Sequence, residues 1–131
     1  MNNIAIVKDF IAAWEAQDLD RVMRFFKDDA VYHNIPMPIL NGVADIRKTI
    51  AGFIGMGEQL VFETHHIAEA AGGVVMTERT DKFKINGQWL KLPVMGVFEI
   101  MDGKIAKWRD YFDLGQFQSQ MASITVQKVA E

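Results

Sequence analysis

Residues 74 to 112 read VVMTERTDKFKI (Val74 to Ile85), Asn86-Gly87, QWLKLPVMGVFEIM (Gln88 to Met101), Asp102-Gly103 and KIAKWRDYF (Lys104 to Phe112). Apolar and polar residues alternate along each long run, and a period of two is the side-chain period of a β-strand. Asn-Gly and Asp-Gly both accept positive φ at the two central positions of a type I′ turn, so each is a strong hairpin signal. The stretch predicts three antiparallel strands in a meander. Gly96, inside the middle run, predicts a bend or bulge.

The alternation also sorts the charges. Val75, Thr77, Arg79, Asp81, Phe83 and Ile85 share one face of the first run, and Ala106, Trp108, Asp110 and Phe112 share one face of the third. Two carboxylates and a guanidinium thus sit among aromatics, which a solvated surface does not require.

Working back, Leu60 to Glu69 is a fourth strand-like run, joined to Val74 through Ala71-Gly72-Gly73. Ile46, Ile50, Phe53 and Ile54 mark a helix that starts near Asn41 or Gly42 and is ended by Gly55 and Gly57. Ala30 to Ile35 predicts a short strand, broken by Pro36 and Pro38, with a loop to Asn41-Gly42. Ile4, Val7, Ile11 and Trp14 predict an amphipathic helix over about residues 3 to 16. Asp18 caps a second helix carrying Leu19, Val22, Met23 and Phe26. After the meander, Leu114, Phe117 and Met121 predict a short terminal helix, with residues from Ser123 to Glu131 loosely held. Helices followed by an antiparallel sheet make an α+β fold, expected as a single domain over residues 1–131.

The composition narrows the function. Half the residues are hydrophobic and 24% are charged, too apolar for a disordered chain. A net charge of −3 and no Lys/Arg run give no reason to expect nucleic acid or an anionic membrane. No stretch approaches the length of a transmembrane helix, and the first residues lack the apolar core of a signal peptide, so a cytoplasmic location is expected. The absence of cysteine removes disulfides, thiolate metal sites and a cysteine nucleophile. Chemistry must come from Asp, Glu, His, Tyr or Arg.

Arg79 and Asp81 emerge about 7 Å apart on one face of their strand, within reach of an arginine side chain. Asp110 lies one strand beyond the intervening one, so in a curled sheet it approaches the same guanidinium from the other side. A buried ion-pair network would account for Arg79 and Asp81 equally well. Two carboxylates beside one cation in an apolar cavity cannot both ionise freely, so one is kept protonated while the other serves as a base. Tyr32 and Asn34 share a face of the first strand, where hydroxyl and amide would hold a water; equally, Tyr32 is a core residue and Asn34 belongs to the turn at Pro36. Met23, Phe26, Ile54, Phe83, Leu90, Leu92, Phe112 and Phe117 are candidate pocket residues that would select a hydrophobic ligand. His65 and His66, being adjacent on a strand, should point to opposite faces; with His33 they form no metal set. Asp9, Glu15, Asp20, Asp28, Asp45 and Glu58 read as solvated charges, and Asp113 falls on the face opposite Asp110.

The motifs Tyr32-His33-Asn34-Ile35-Pro36, Glu78-Arg79-Thr80-Asp81 and Trp108-Arg109-Asp110-Tyr111-Phe112-Asp113, in this order, resemble the limonene-1,2-epoxide hydrolase family. The resemblance covers most of the chain. It implies the cone-like fold of nuclear transport factor 2 and SnoaL-like proteins: a curved, mixed but mostly antiparallel sheet with N-terminal helices over its concave face. It also implies an Asp-Arg-Asp triad acting in one step without a covalent intermediate. By position, Asp110 would be the general base, Asp81 the general acid and Arg79 the bridge, with Tyr32 and Asn34 holding the water. The implied partners are a small hydrophobic epoxide, catalytic water and a second copy of the chain in a homodimer, and the implied cofactor is none. A ketosteroid isomerase or polyketide cyclase would use one carboxylate beside a carbonyl and have no use for Arg79. A non-catalytic binding domain of the same fold would usually lack charges inside its cavity.

Overall fold

A computed structural model describes residues 2–130, with side chains described as far as Ile124. The elements run α1 (Asn3–Glu15), α2 (Leu19–Met23), β1 (Phe26–Asn34), β2 (Leu40–Asn41), α3 (Val43–Met56), β3 (Gln59–Ala70), β4 (Val74–Ile85), β5 (Gln88–Met101), β6 (Lys104–Tyr111) and α4 (Leu114–Ala130), with a single 3-10 turn at Ala71–Gly73. The six strands form one curved sheet in the order β2-β1-β6-β5-β4-β3. All neighbours are antiparallel except β1 and β6, which run parallel. The fold is α+β.

Turn chemistry sets the meander. Asn86 and Gly87 have φ of 52° and 74°, and Asp102 and Gly103 have 52° and 77°, the paired positive values of a type I′ turn. With the turns fixed, β4 and β5 pair from Val74↔Glu99 to Ile85↔Gln88 without a slip. Odd-numbered β4 residues and even-numbered β5 residues then face inward, and the buried positions follow that parity.

The helices cover this inner face. The Asn2 side chain caps α1 by accepting from the Ala5 N–H (2.8 Å), and α1 buries Ile6, Val7, Phe10, Ile11, Ala13 and Trp14. Asp18 caps α2 through the Arg21 N–H (3.1 Å). Glu15 is not simply solvated: its Oε2 accepts from the Phe62 N–H on the outer edge of β3 (3.0 Å), satisfying a donor that no strand reaches.

Several expectations need correcting. Phe26 does not belong to α2, which ends at Met23; it opens β1 four residues before the predicted strand start. Leu40–Asn41 is a short strand on β1 rather than loop. Gly55 lies inside α3, and Gly57 alone follows its end. The terminal helix is longer than expected: α4 runs from Leu114 to Ala130, and Glu131 lies outside the described residues. His65 and His66 do not point to opposite faces. A register shift between Thr64 and His66 leaves His65 as an extra residue, and the two rings bond Thr80 Oγ1 and Glu78 Oε1, both outward-facing β4 side chains. A second shift in β6 breaks the parity at Ala106, so Ile105 and Trp108 are both buried while Ala106 is not.

Candidate active site

Register across the sheet assembles the site in rows. In one row, Thr77 of β4 faces Gly96 of β5, Gly96 faces Asp110 of β6, and Asp110 faces Asn34 of β1. The row beside it carries Phe98, Trp108 and Tyr32. The parallel β1–β6 pairing is extended by the Ile35 N–H, which donates to the Asp110 carbonyl (2.9 Å) and fixes Asn34 against Asp110.

Arg79 sits at the centre with a fully buried side chain. Its Nε and Nη2 donate to the two oxygens of Asp81 (2.9 Å each), a planar two-point contact that only a guanidinium makes. Nη2 also donates to Asp110 Oδ2 (2.8 Å), and Nη1 donates to Thr77 Oγ1 (2.9 Å). The guanidinium carbon lies 5.4 Å from the centre of the Phe62 ring. Asp110 accepts a further bond from Trp108 Nε1 on Oδ1 (2.7 Å).

The bridge crosses β5, and Gly96 is what lets it cross. A Cβ at that position would stand 2.3 Å from Arg79 Nη1, 2.7 Å from Asp110 Oδ1 and 2.9 Å from Thr77 Oγ1. From the sequence alone this glycine reads as a bend or bulge. Its position opposite both Thr77 and Asp110 becomes visible only once the register is known.

Burial sets the electrostatics. It pushes the Asp110 carboxyl above its ordinary value; Arg79 opposes this, and the neighbouring charge of Asp81 adds to it. Tyr32 is pushed well above the usual phenol range by burial first and by Asp110 second, so its hydroxyl keeps its proton and can donate. Burial also works against the Arg79 charge, but Asp110 and Asp81 more than offset it and its pKa rises. Two buried carboxylates around one guanidinium leave the group one negative charge in excess when both are ionised. A shared proton relieves that excess.

Part of this cluster opens on a pocket. Asp81, Asp110, Tyr32 and Asn34 form its polar part. Of the candidate pocket residues, Phe83, Leu92, Phe112 and Phe117 line it, joined by Trp14, Met37, Phe53, Phe62, Val94 and Trp108. Met23, Phe26, Ile54 and Leu90 do not. Phe26 packs beneath Phe10 (5.5 Å between ring centres), and Leu90 is wholly buried in the core. Ile54 points elsewhere than Phe53, since successive helical residues differ by about 100° in direction. Met23 lies on an outer cleft with Asp20 and Arg47. Asp113 accepts from the Gln116 N–H (3.1 Å) at the start of α4 and stays out of the pocket. Among the described residues, no three His, Cys, Asp or Glu side chains stand together as a metal-binding set, and no helix is long and apolar enough to cross a membrane.

Residues 1–123 match the family described as the limonene-1,2-epoxide hydrolase catalytic domain. The chain belongs to that family. Epoxide hydrolase EphG of Mycobacterium tuberculosis is 35% identical over 111 residues, covering 82% of this chain and 71% of that protein. The solved structure of an M. tuberculosis epoxide hydrolase of this family superposes with a TM-score of 0.76 at 31% identity, over 98% of this chain and 96% of that one. A SnoaL-like polyketide cyclase structure from Shewanella putrefaciens CN-32 reaches a TM-score of 0.80 over 92% of this chain and 96% of that one. At 14% identity, that likeness concerns the fold alone.

Proposed function

We propose that the protein adds water to a small hydrophobic epoxide, giving a vicinal diol in one concerted step. The observation that supports this reading is the buried Arg79 guanidinium, bonded at once to Asp81 and Asp110, the two carboxylates that line a largely apolar pocket. Opening an epoxide requires a proton on oxygen as a nucleophile attacks carbon, and the reaction is fastest when both groups are already in place. Asp110 takes a proton from water held by Tyr32 and Asn34. The water oxygen forms the new C–O bond, the ring C–O bond breaks, and Asp81 supplies the proton to the departing oxygen. The step leaves Asp110 protonated and Asp81 ionised, so one proton transfer resets the pair. A cyclase or isomerase acting beside a carbonyl leaves the two-point Arg79–Asp81 contact without a task.

Chiral analysis of the diols from a panel of terpene-like and cyclic epoxides tests the activity and names the substrate. A single turnover in ¹⁸O-water tests the one-step chemistry: the label should enter the diol in the first turnover, and unlabelled diol would mean that a carboxylate attacked carbon instead. Asp81→Asn should lower kcat by about 10²–10⁴-fold, the usual contribution of a positioned acid. Because Asp110 must be ionised to act and its pKa is raised, kcat/KM should already be falling above the ordinary Asp value of about 3.9 as the pH is lowered. A profile flat to about pH 4 would contradict the assignment of Asp110 as base.

The same reading takes the protein as a homodimer associating through the outer face of the sheet. Met76, Met95 and Tyr111 are exposed there, with Met95 directly opposite Tyr111 across β5 and β6. Met95→Glu should shift the sedimentation coefficient toward that of a monomer.

A further inference from the structure

We propose that Trp108 is a positioning residue for Asp110, its indole N–H fixing one carboxylate oxygen while Arg79 holds the other. This rests on the reading of Asp110 as the base. Trp108 and Asp110 are two apart on β6, emerge on the same face and are both buried. The Nε1 to Oδ1 distance is 2.7 Å.

The ring cannot turn away from that contact. Its cross-strand neighbours stack on its two sides, Tyr32 from β1 at 4.2 Å and 6° and Phe98 from β5 at 5.3 Å and 16°. Phe10 and Trp14 of α1 close on it at steep angles, 87° and 77°. The row that carries Tyr32 therefore also fixes the plane of the Asp110 carboxylate.

The chemistry follows from which protonation state the bond prefers. An N–H donor bonds a carboxylate more strongly than a carboxylic acid, so the Trp108 contact favours the ionised form that burial disfavours. The ionisable groups facing Asp110 are Arg79 and Asp81 from β4 and Tyr32 from β1; β5 presents Gly96 and Phe98. Arg79 and Trp108 together hold the carboxylate ionised and in one plane, so its free lone pairs keep one direction toward the water.

The test replaces Trp108 in the full chain with benzothienylalanine by site-specific incorporation, which keeps the ring shape and puts sulfur where the N–H was; Trp108→Phe is made beside it. On an epoxide that the unmodified protein hydrolyses, kcat should fall about 10-fold or more with KM within about twofold, and the acid limb of the profile should move up by about one pH unit. A ¹³C NMR titration of the Asp110 carboxyl should move the same way. A benzothienylalanine protein with unchanged kcat, acid limb and carboxyl titration overturns the proposal. If Trp108→Phe does not fold, the isosteric protein decides. If the unmodified protein opens no epoxide, the activity assignment falls on its own, and the carboxyl titration still decides whether Trp108 governs the ionisation of Asp110.

Discussion

Asp110→Asn should lower kcat by about three orders of magnitude, within the 10²–10⁴-fold range of a positioned general base, while leaving KM within a few-fold. The amide occupies the carboxylate's volume and keeps one acceptor, but it cannot take a proton from water. Stability should respond in the opposite sense to activity. A carboxyl whose pKa is raised on folding contributes stability that is present below its unfolded value and is lost as the pH rises through its folded value. At neutral pH, therefore, ionised Asp110 is a cost, and the variant gives up that cost in exchange for one hydrogen bond. Its unfolding midpoint should match or exceed that of the parent. Diol formation by gas chromatography and a thermal melt on the same samples test both halves. An Asn variant that still makes diol at a tenth of the parent rate would remove Asp110 from its assigned role.

The second large effect is expected at a residue with no side chain. Gly96→Ala puts a methyl group within 2.3 Å of the Arg79 guanidinium and 2.7 Å of Asp110, and neither can move without breaking the bridge. Overpacking a filled interior costs about 1–3 kcal/mol, and loosening a buried ion pair adds to it, so a loss of about 3 kcal/mol is expected. Activity should fall by more than 100-fold, because Asp81 and Asp110, the proposed acid and base, are displaced together. Denaturant melts and steady-state rates measured side by side give the answer. A variant with parental stability and rate would mean that Arg79 does not need the gap over β5.

How much of this could be read from residues alone depended on how local the signal was. The bounds of β4 and β5 follow from the Asn86-Gly87 turn and an unbroken alternation, both short-range features. Parity likewise put Arg79, Asp81 and Asp110 on inward faces. The parallel pairing of β1 with β6 has no local signal, since nothing in Ala30 to Asn34 names a partner some 75 residues away. Without that register, Gly96 looks like a kink and Trp108 like core. The bulge at His65 has no local signal for a related reason: one inserted residue inverts the side-chain parity of the strand beyond it. Pocket residues divided evenly, because apolar alternation reports burial and does not distinguish a cavity wall from the core. Leu92 and Leu90 have the same parity, and only Leu92 meets the pocket.

The parallel β1–β6 contact also bears on how the chain reaches its working form. Tyr32 and Asn34 come from the first third of the chain and Asp110 from its last fifth, and they meet only when β6 docks between β5 and β1. Within the β3 to β5 meander Arg79 has only Asp81, Thr77 and Phe62 beside it, and the Asp110 carboxylate is missing until β6 is in place. Closing a loop of this length is slow relative to forming a hairpin, so the appearance of activity should trail the appearance of β-structure during refolding. A nascent chain on the ribosome would stay inert until its sixth strand had emerged.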